Sequence, residues 1–429
     1  MKIVHILPGS GDTFYCQNCM RDNVLALSLR KLGHRVIIVP MYLPLSFEED
    51  KLEDESPVFF GAINLYLKER IPVYRKAPVW MERILDSPFL LRMAAHFAGS
   101  TRAAGLEEMT LSMLRGEDGN QASELDHLIA WLANEAKPDV VHLSNSLLLG
   151  LAHRIRAELD IPVVCSLQDE NQWIDPMPEE YQELAWHIMA EKAVHVDAFI
   201  SVSEYYAERM VQRLGIPREK MNMVFLGIDL TGYEKPLAPA DPPAIGFLSR
   251  LCECRGLGIL ADAFIDLKKK SVFRDLKLHI TGGKTADDND FLHVLQKRLK
   301  KHNVWNDVRF FPEFDFTHRL AFLQSLSVLS VPVPDGEAFG AYQLEALACG
   351  VPVVQPNVGA FPEIMRETGG GILYEPNNAK ILAANLEIIL NDRQKAGQLA
   401  KVGREIVFRK FDIDTMARSI ADIYEKLKR

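Results

Sequence analysis

Residues 334–354 read PDGEAFGAYQLEALACGVPVV, and this is the most informative stretch of the sequence. A turn rich in glycine and acidic residues leads into a helical pattern, in which Leu344, Leu347 and Ala348 form an apolar stripe. Gly350 follows where the C-cap of a helix belongs, and a β-rich run comes directly after it. Alternation of strand and helix at this spacing is typical of α/β folds with parallel strands.

The same alternation extends outward through both halves of the chain. In the second half we predict strands at 244–248, 276–281, 308–311, 328–333, 351–355 and 371–374. In the first half we predict them at 2–7, 35–39, 139–143, 162–165, 198–202 and 223–226. Two such halves predict an α/β architecture of two Rossmann-like domains with parallel sheets facing an interdomain cleft, where ligands bind by default.

A proline-rich stretch at 235–243 has four prolines in nine residues, so it excludes a helix and marks the domain boundary. We predict an N-terminal domain at 1–235 and a C-terminal domain at 236–410. From about 45 to 126 the alternation fails, and aromatic and basic residues interleave. We interpret this segment as a helical insertion packed on the first domain. A lid over the substrate and a peripheral membrane contact are the alternatives.

Composition limits the classes of function. The 429 residues include 49 Lys+Arg and 58 Asp+Glu, a net charge of 49 − 58 = −9, which argues against a broadly cationic surface for nucleic acid. No run of about 18 apolar residues predicts a membrane span, and the first residues lack the pattern of a signal peptide. Six cysteines in so long a chain do not resemble a disulfide framework. We therefore expect a cytoplasmic protein with reduced thiols.

Charged residues lie where parallel strands should end. Glu337 precedes the predicted helix and Glu345 lies eight positions further on, while the amides around Phe339 and Gly340 suit a phosphate. Arg250 and Arg255 follow the first strand of the second half, and arginine matches phosphate oxygens with a planar fork. Cations for phosphates and carboxylates for hydroxyl groups together indicate a nucleotide sugar. A capped helix and surface salt bridges are the structural alternatives.

In order and spacing, residues 250–256, 337–345 and 359–364 resemble the donor domain of retaining glycosyltransferases of family 4. The resemblance implies a GT-B fold and transfer of a sugar from a nucleotide-diphosphate sugar to an acceptor hydroxyl. It implies no required cofactor or metal, and it implies that the final helix, within 411–429, crosses back to the first domain. Glycan, lipid and small-molecule acceptors all stay open.

The resemblance also implies roles for single residues. Arg250 and Arg255 hold the diphosphate, and with Glu337 they form the catalytic set; the family usually has lysine at the second of the arginine positions. Glu337 contacts the donor sugar beside the amides of Phe339 and Gly340, and Glu345 takes the ribose hydroxyls.

The first domain departs from the family pattern. Gly9 and Gly11 are assigned to donor binding, although Cys16 and Gln17 take the place of the usual glycine pair. Acceptor-side candidates are two residues near the start of the first helix and two near strand ends, namely Gln17, Asn18, His142 and Asp169. Because the usual histidine motifs are altered, we assign no catalytic histidine and expect His142 to pack at a strand end.

Two motifs resemble metal sites. Cys16 and Cys19 have the spacing of a metal or redox half-site, but we interpret them as structural cysteines or as cysteines of a substrate loop. The acidic run 287–290 directly precedes a helical pattern, and we interpret it as a helix cap. The rival functions are a GT-B sugar-nucleotide epimerase or phosphorylase, a dinucleotide-dependent dehydrogenase and a non-catalytic nucleotide-sugar-binding protein. The dehydrogenase is disfavoured because the first strand lacks a complete Gly-x-Gly-x-x-Gly.

Overall fold

The computed structural model describes residues 1–8, 17–41, 105–233 and 240–428, with backbone alone at 17–20. The chain divides into two compact units. The first holds the described residues of 1–225 except Gln17, together with 416–428; the second holds Gln17 and the described residues of 226–415.

The first unit contains a six-stranded sheet. Its strands are β1 (Lys2–Leu7), β2 (Arg35–Pro40), β3 (Val140–Leu143), β4 (Val163–Leu167), β5 (Ala198–Ser201) and β6 (Met221–Met223). They pair in the order β2-β1-β3-β4-β5-β6, and every pairing is parallel. In β1, Ile3, Val4 and Ile6 are fully buried, as expected for a strand covered on both faces.

Helices connect these strands and cover the sheet. They are α1 (Gln17–Lys31), α2 (Glu107–Arg115), α3 (Ala122–Trp131), α4 (Ala152–Leu159), α5 (Asn171–Ile174), α6 (Glu179–Ala193) and α7 (Glu204–Leu214). The last part of the predicted insertion at 45–126 forms α2 and the first half of α3. Residues 45–104 of the insertion lie outside the described ranges.

The second unit repeats the architecture. Its strands are β7 (Ala244–Leu248), β8 (Lys277–Thr281), β9 (Val308–Phe310), β10 (Val328–Leu329), β11 (Val353–Pro356) and β12 (Gly371–Tyr374). They pair in parallel in the order β12-β11-β10-β7-β8-β9. The two parallel sheets confirm the prediction of an α/β chain with two Rossmann-like halves.

The helices of the second unit alternate with these strands. They are α8 (Leu257–Lys268), α9 (Asn289–Lys301), α10 (Phe316–Gln324), α11 (Tyr342–Ala348), α12 (Phe361–Thr368), α13 (Ala379–Asn391) and α14 (Arg393–Lys410). The last helix of the chain, α15 (Ile413–Leu427), belongs to the first unit from Met416 onward. Within the described part of the chain, no helix combines the length and apolar character needed to span a bilayer.

Two strands, β6 and β10, differ most from their predicted bounds. The ladder of β6 ends at Met223, and the apolar residues Val224 and Leu226, predicted as strand, are buried as the chain leaves the unit. Strand β10 has two residues where the sequence predicted six. The amide of Val331 donates to the side-chain oxygen Oε1 of Gln355 in β11 at 3.0 Å instead of to a backbone carbonyl, and the next residue, a proline, has no N–H to donate.

The chain enters and leaves the second unit along one short parallel bridge. Ile228 N donates to Phe411 O at 2.9 Å, and Ile413 N donates to Ile228 O at 3.0 Å. A Cβ added to Gly227 would lie 2.7 Å from the carbonyl oxygen of Asp412, so the residue type at 227 permits this close approach.

Candidate active site

Two loops of the second unit meet at Gly256. The first follows β7 and carries both predicted arginines, and the second follows β10 and carries Glu337. Gly256 has φ +78°, and a Cβ there would lie 2.0 Å from the carbonyl oxygen of Pro332. Strands β7 and β10 are neighbours in the sheet, so both loops lie at its carboxyl edge, where open parallel sheets bind ligands.

Arg250 is held by a buried carboxylate. Its Nε and Nη2 donate to the two oxygens of Asp288 at 3.0 Å each, and Nη2 donates to Thr285 Oγ1 at 2.9 Å. Asp288 also forms a capping box with Thr285 in the 3₁₀ turn Ala286–Asp288, but its side chain makes no capping bond to α9, so the cap predicted for 287–290 is found only on this short turn. Burial raises the pKa of Asp288, but the bonds from Arg250 and Thr285 lower it by more than burial raises it. The pKa of Asp288 therefore lies below its ordinary value. The plane of the Arg250 guanidinium is therefore fixed.

Arg255 and Glu337 form an ion pair through Arg255 Nη1 and Glu337 Oε1. The Glu337 side chain is 1% exposed and that of Arg255 is 20% exposed. The other carboxylate oxygen, Oε2, accepts a hydrogen bond of 2.7 Å from the hydroxyl of Tyr342, which is fully buried. Oε1 of Glu337 is thus ion-paired and Oε2 is hydrogen-bonded, and the two partner side chains come from different elements.

Gly340 gives this carboxylate its space. Its φ is +85°, and a Cβ there would lie 3.1 Å from Glu337 Oε2 and 2.9 Å from Gln343 Nε2. Gln343 Nε2 donates to the carbonyl oxygens of Phe339 at 3.0 Å and Gly340 at 3.3 Å, which fixes the turn before α11. Phe339 itself is buried and packs against Phe411.

Glu345 lies in a second buried ion pair. Its Oε1 accepts from Arg319 Nε at 2.9 Å, and the two side chains are 6% and 4% exposed. Arg319 Nη1 also donates to the carbonyl oxygen of Phe314 at 2.7 Å. Three of the four predicted ionic site residues, Arg255, Glu337 and Glu345, thus lie in or beside the segment from the β10 loop to α11.

The loop after β7 also contains a disulfide. It joins Cys252 to Cys254, so it lies between the two predicted arginines, and Cys254 is exposed. The expectation of reduced thiols throughout is wrong for this pair. The Cys-x-Cys spacing was the available signal, and the two Cα atoms are 5.5 Å apart, within the usual range for a disulfide.

In the first unit, His142 is fully buried in the sheet. Its Nδ1 lies 2.6 Å from the hydroxyl of Tyr424, its Nε2 lies 2.8 Å from Ser166 Oγ, and its ring stacks on that of His5. Burial lowers its pKa well below the ordinary value, with His5 and Arg21 contributing. These contacts describe a neutral ring that packs at a strand end, as predicted.

Asp169 lies at the carboxyl end of β4 with φ +58°, an uncommon conformation for a residue other than glycine. The next residue, Glu170, is buried and ties three segments together. It accepts hydrogen bonds from Ser146 N at 2.9 Å, Gln168 N at 2.9 Å and the hydroxyl of Tyr206 at 2.7 Å. The structure therefore places Asp169 on a tightly bonded loop at the carboxyl edge of the first sheet.

Several predicted residues lie outside this description. Gly9, Gly11 and Cys16 are not among the described residues, and the side chains of Gln17, Asn18 and Cys19 are not described. Elsewhere in the described ranges, no group of three or more His, Cys, Asp or Glu side chains could hold a metal ion.

Sequence reasoning missed three residues that bond to the predicted ones, namely Asp288 as a partner of Arg250, Tyr342 as a partner of Glu337 and Arg319 as a partner of Glu345. It also missed Glu170, which bonds the loop that carries Asp169. Tyr342 lies within 334–354, five residues after Glu337, so the sequence itself could have indicated it as a neighbour of Glu337. Arg319 is 26 residues from Glu345, and its pairing had no sequence signal.

Comparison with known proteins relates this chain to glycosyltransferases. Residues 233–406 match the family model described as glycosyl transferases group 1, and residues 113–231 match the model described as glycosyltransferase family 4. An Escherichia coli K12 protein named as a colanic acid biosynthesis glycosyltransferase, WcaL, is 29% identical over 241 residues. That match spans 54% of this chain and 57% of the length of WcaL.

Two solved structures share the fold over the full length. Sucrose-phosphate synthase from Thermosynechococcus elongatus is 18% identical with a TM-score of 0.70, covering 100% of this chain and 99% of that one. HepE from Anabaena, in complex with UDP, is 17% identical with a TM-score of 0.68, covering 99% of this chain and 100% of its own.

Proposed function

We propose that this chain, which has a GT-B fold, is a group 1 glycosyltransferase. It transfers a sugar from a nucleoside-diphosphate sugar to an acceptor hydroxyl, and the configuration at the anomeric carbon is retained. HepE is a structural neighbour whose complex contains UDP, and that supports a nucleoside diphosphate as the leaving group.

The observation that carries this proposal is the contact between Arg255 and Glu337. A guanidinium from the β7 loop and a buried carboxylate from the β10 loop meet at the carboxyl edge of the sheet. A diphosphate competes for the guanidinium, and a sugar offers hydroxyl groups to the carboxylate. The pair thus matches the two halves of a sugar diphosphate in one place.

The other bonded residues complete the donor site. Arg250, with its plane fixed by Asp288, faces the diphosphate together with Arg255. Glu345 accepts hydrogen bonds from the ribose hydroxyls, and Arg319 holds the Glu345 carboxylate in place. Phe339 and Gly340 form the wall beside the sugar, since Gly340 leaves room for a close approach.

The transfer itself is a substitution at the anomeric carbon. The bond from this carbon to the phosphate oxygen breaks, the acceptor oxygen bonds to the same face, and the acceptor proton goes to the departing diphosphate. Arg250 and Arg255 stabilise the charge that develops on the diphosphate. We assign Asp169, Gln17 and Asn18 to the acceptor, and Gly9 and Gly11 to the donor.

The test has two stages. Thermal shift with UDP, GDP, ADP and their glucose and mannose conjugates identifies the donor, and the best donor is then assayed with glycan and lipid acceptors. We expect Glu337→Ala and Arg250→Ala each to lower transfer by about 100-fold or more while the fold survives. Arg218→Ala, which removes an exposed ion pair, is the control and leaves transfer unchanged. Near-normal transfer in both site variants would overturn the donor assignment, and conversion of the donor without acceptor would identify an epimerase instead.

A further inference from the structure

The hydroxyl of Tyr342 lies in the interior of the second unit and donates to the carboxylate that we assign to the donor sugar. We propose that Tyr342 is a positioning residue: it fixes the orientation of Glu337 so that the carboxylate recognises the sugar of the donor. This inference rests on the proposed function, because it concerns the same donor site.

The two partners of Glu337 respond differently when a donor binds. Arg255 carries a positive charge and is 20% exposed, so an incoming diphosphate attracts it away from the carboxylate. Tyr342 is neutral and fully buried on the first turn of α11, so a diphosphate does not attract its side chain. The hydrogen bond of 2.7 Å to Oε2 therefore persists while Oε1 becomes available to a sugar hydroxyl.

The surroundings allow this division of roles. A Cβ at Gly340 would lie 3.1 Å from Glu337 Oε2 and 3.1 Å from Tyr342 Cζ, so the hydrogen bond forms directly beside a position without a side chain. Gln343, next to Tyr342, holds the backbone of the preceding turn through the carbonyl oxygens of Phe339 and Gly340. One helical turn thus fixes both the carboxylate and the loop beside it.

The experiment compares binding of a nucleoside diphosphate with binding of its sugar conjugate. Titration calorimetry on the full chain measures Kd for UDP, GDP and ADP and for their glucose conjugates, and the tightest pair is used. For Tyr342→Phe we expect an unchanged Kd for the diphosphate and a Kd about tenfold weaker for the conjugate, since the bond to the carboxylate orients only the sugar contact. Tyr374→Phe is the matched control, because Tyr374 is a buried tyrosine of the same unit that bonds Asn377.

A double-mutant cycle shows whether Tyr342 acts through Glu337. In the Glu337→Ala background we expect Tyr342→Phe to have no further effect on the conjugate. Equal weakening of the diphosphate and the conjugate in Tyr342→Phe, or the same tenfold loss with and without Glu337, would overturn the positioning role. If no diphosphate binds to the wild-type chain, the proposed donor site itself fails. If the diphosphate binds, but the ratio of its Kd to that of the conjugate is the same in Tyr342→Phe as in the wild type, only this inference fails.

Discussion

The ion pair between Arg319 and Glu345 provides a sharp test of what stabilises the second unit. Arg319→Met keeps most of the volume of the side chain and removes its charge. The carboxylate of Glu345 then stays in a site where it is 6% exposed, without the guanidinium that bonds it at 2.9 Å. The carbonyl oxygen of Phe314 also loses its donor.

The size of the effect follows from this burial. Removing one partner of a buried ion pair costs about 3–5 kcal/mol, because the remaining charge is left in a medium of low polarity. For a unit of about 150–250 residues, such a loss corresponds to a fall in Tm of about 6–20 °C. Replacing both partners with apolar residues, as in Arg319→Met with Glu345→Leu, should recover most of the loss, since no charge is left buried.

Scanning calorimetry on the whole chain measures these changes. Arg218→Met is the control, since the Arg218 and Glu208 side chains are 71% and 45% exposed and such pairs contribute about 1 kcal/mol at most. A fall in Tm for Arg319→Met no larger than that of the control would refute the reasoning. A double variant as unstable as Arg319→Met alone would refute the argument that the uncompensated charge is the cause.

Three further predictions concern single contacts. Gly256→Ala should destabilise the chain by at least about 2 kcal/mol, more than Gly350→Ala, which has a similar φ of +76° but no atom within 4 Å of the added carbon; equal losses in urea unfolding would contradict the close approach. Tyr424→Phe should cost about 1–3 kcal/mol by thermal melting, because it removes the 2.6 Å bond to the buried ring of His142, and an unchanged Tm would count against it. The pKa of Asp288 is held below its ordinary value, so the unfolded state binds its proton more tightly and stability falls on acidification below about pH 4. Asp288→Asn should flatten that part of the pH dependence in urea titrations at pH 2 to 5, and a curve parallel to the wild type would refute this.

The sheets could be predicted from the sequence because each apolar run is bounded by turn residues. Strand ends were harder: the apolar run 223–226 is continuous, yet β6 ends at Met223, and only the tertiary structure decides which part of a run pairs. The meeting of Arg255 and Glu337 could be predicted in outline, because both follow strands of one parallel sheet. The partners of Arg250 and Glu345 could not be predicted, since an aspartate 38 residues from Arg250 and an arginine 26 residues from Glu345 come close to them only after folding.

The bridge between Ile228 and residues 411–413 brings the two ends of the second unit side by side. A segment whose ends are adjacent can be removed or replaced as one cassette, because the flanking chain needs only a short join. Exchange of 226–415 for the corresponding segment of a relative is therefore a practical design for a chimaera. Under the proposed function, such a chimaera would keep the acceptor preference of this protein and take the donor preference of the relative.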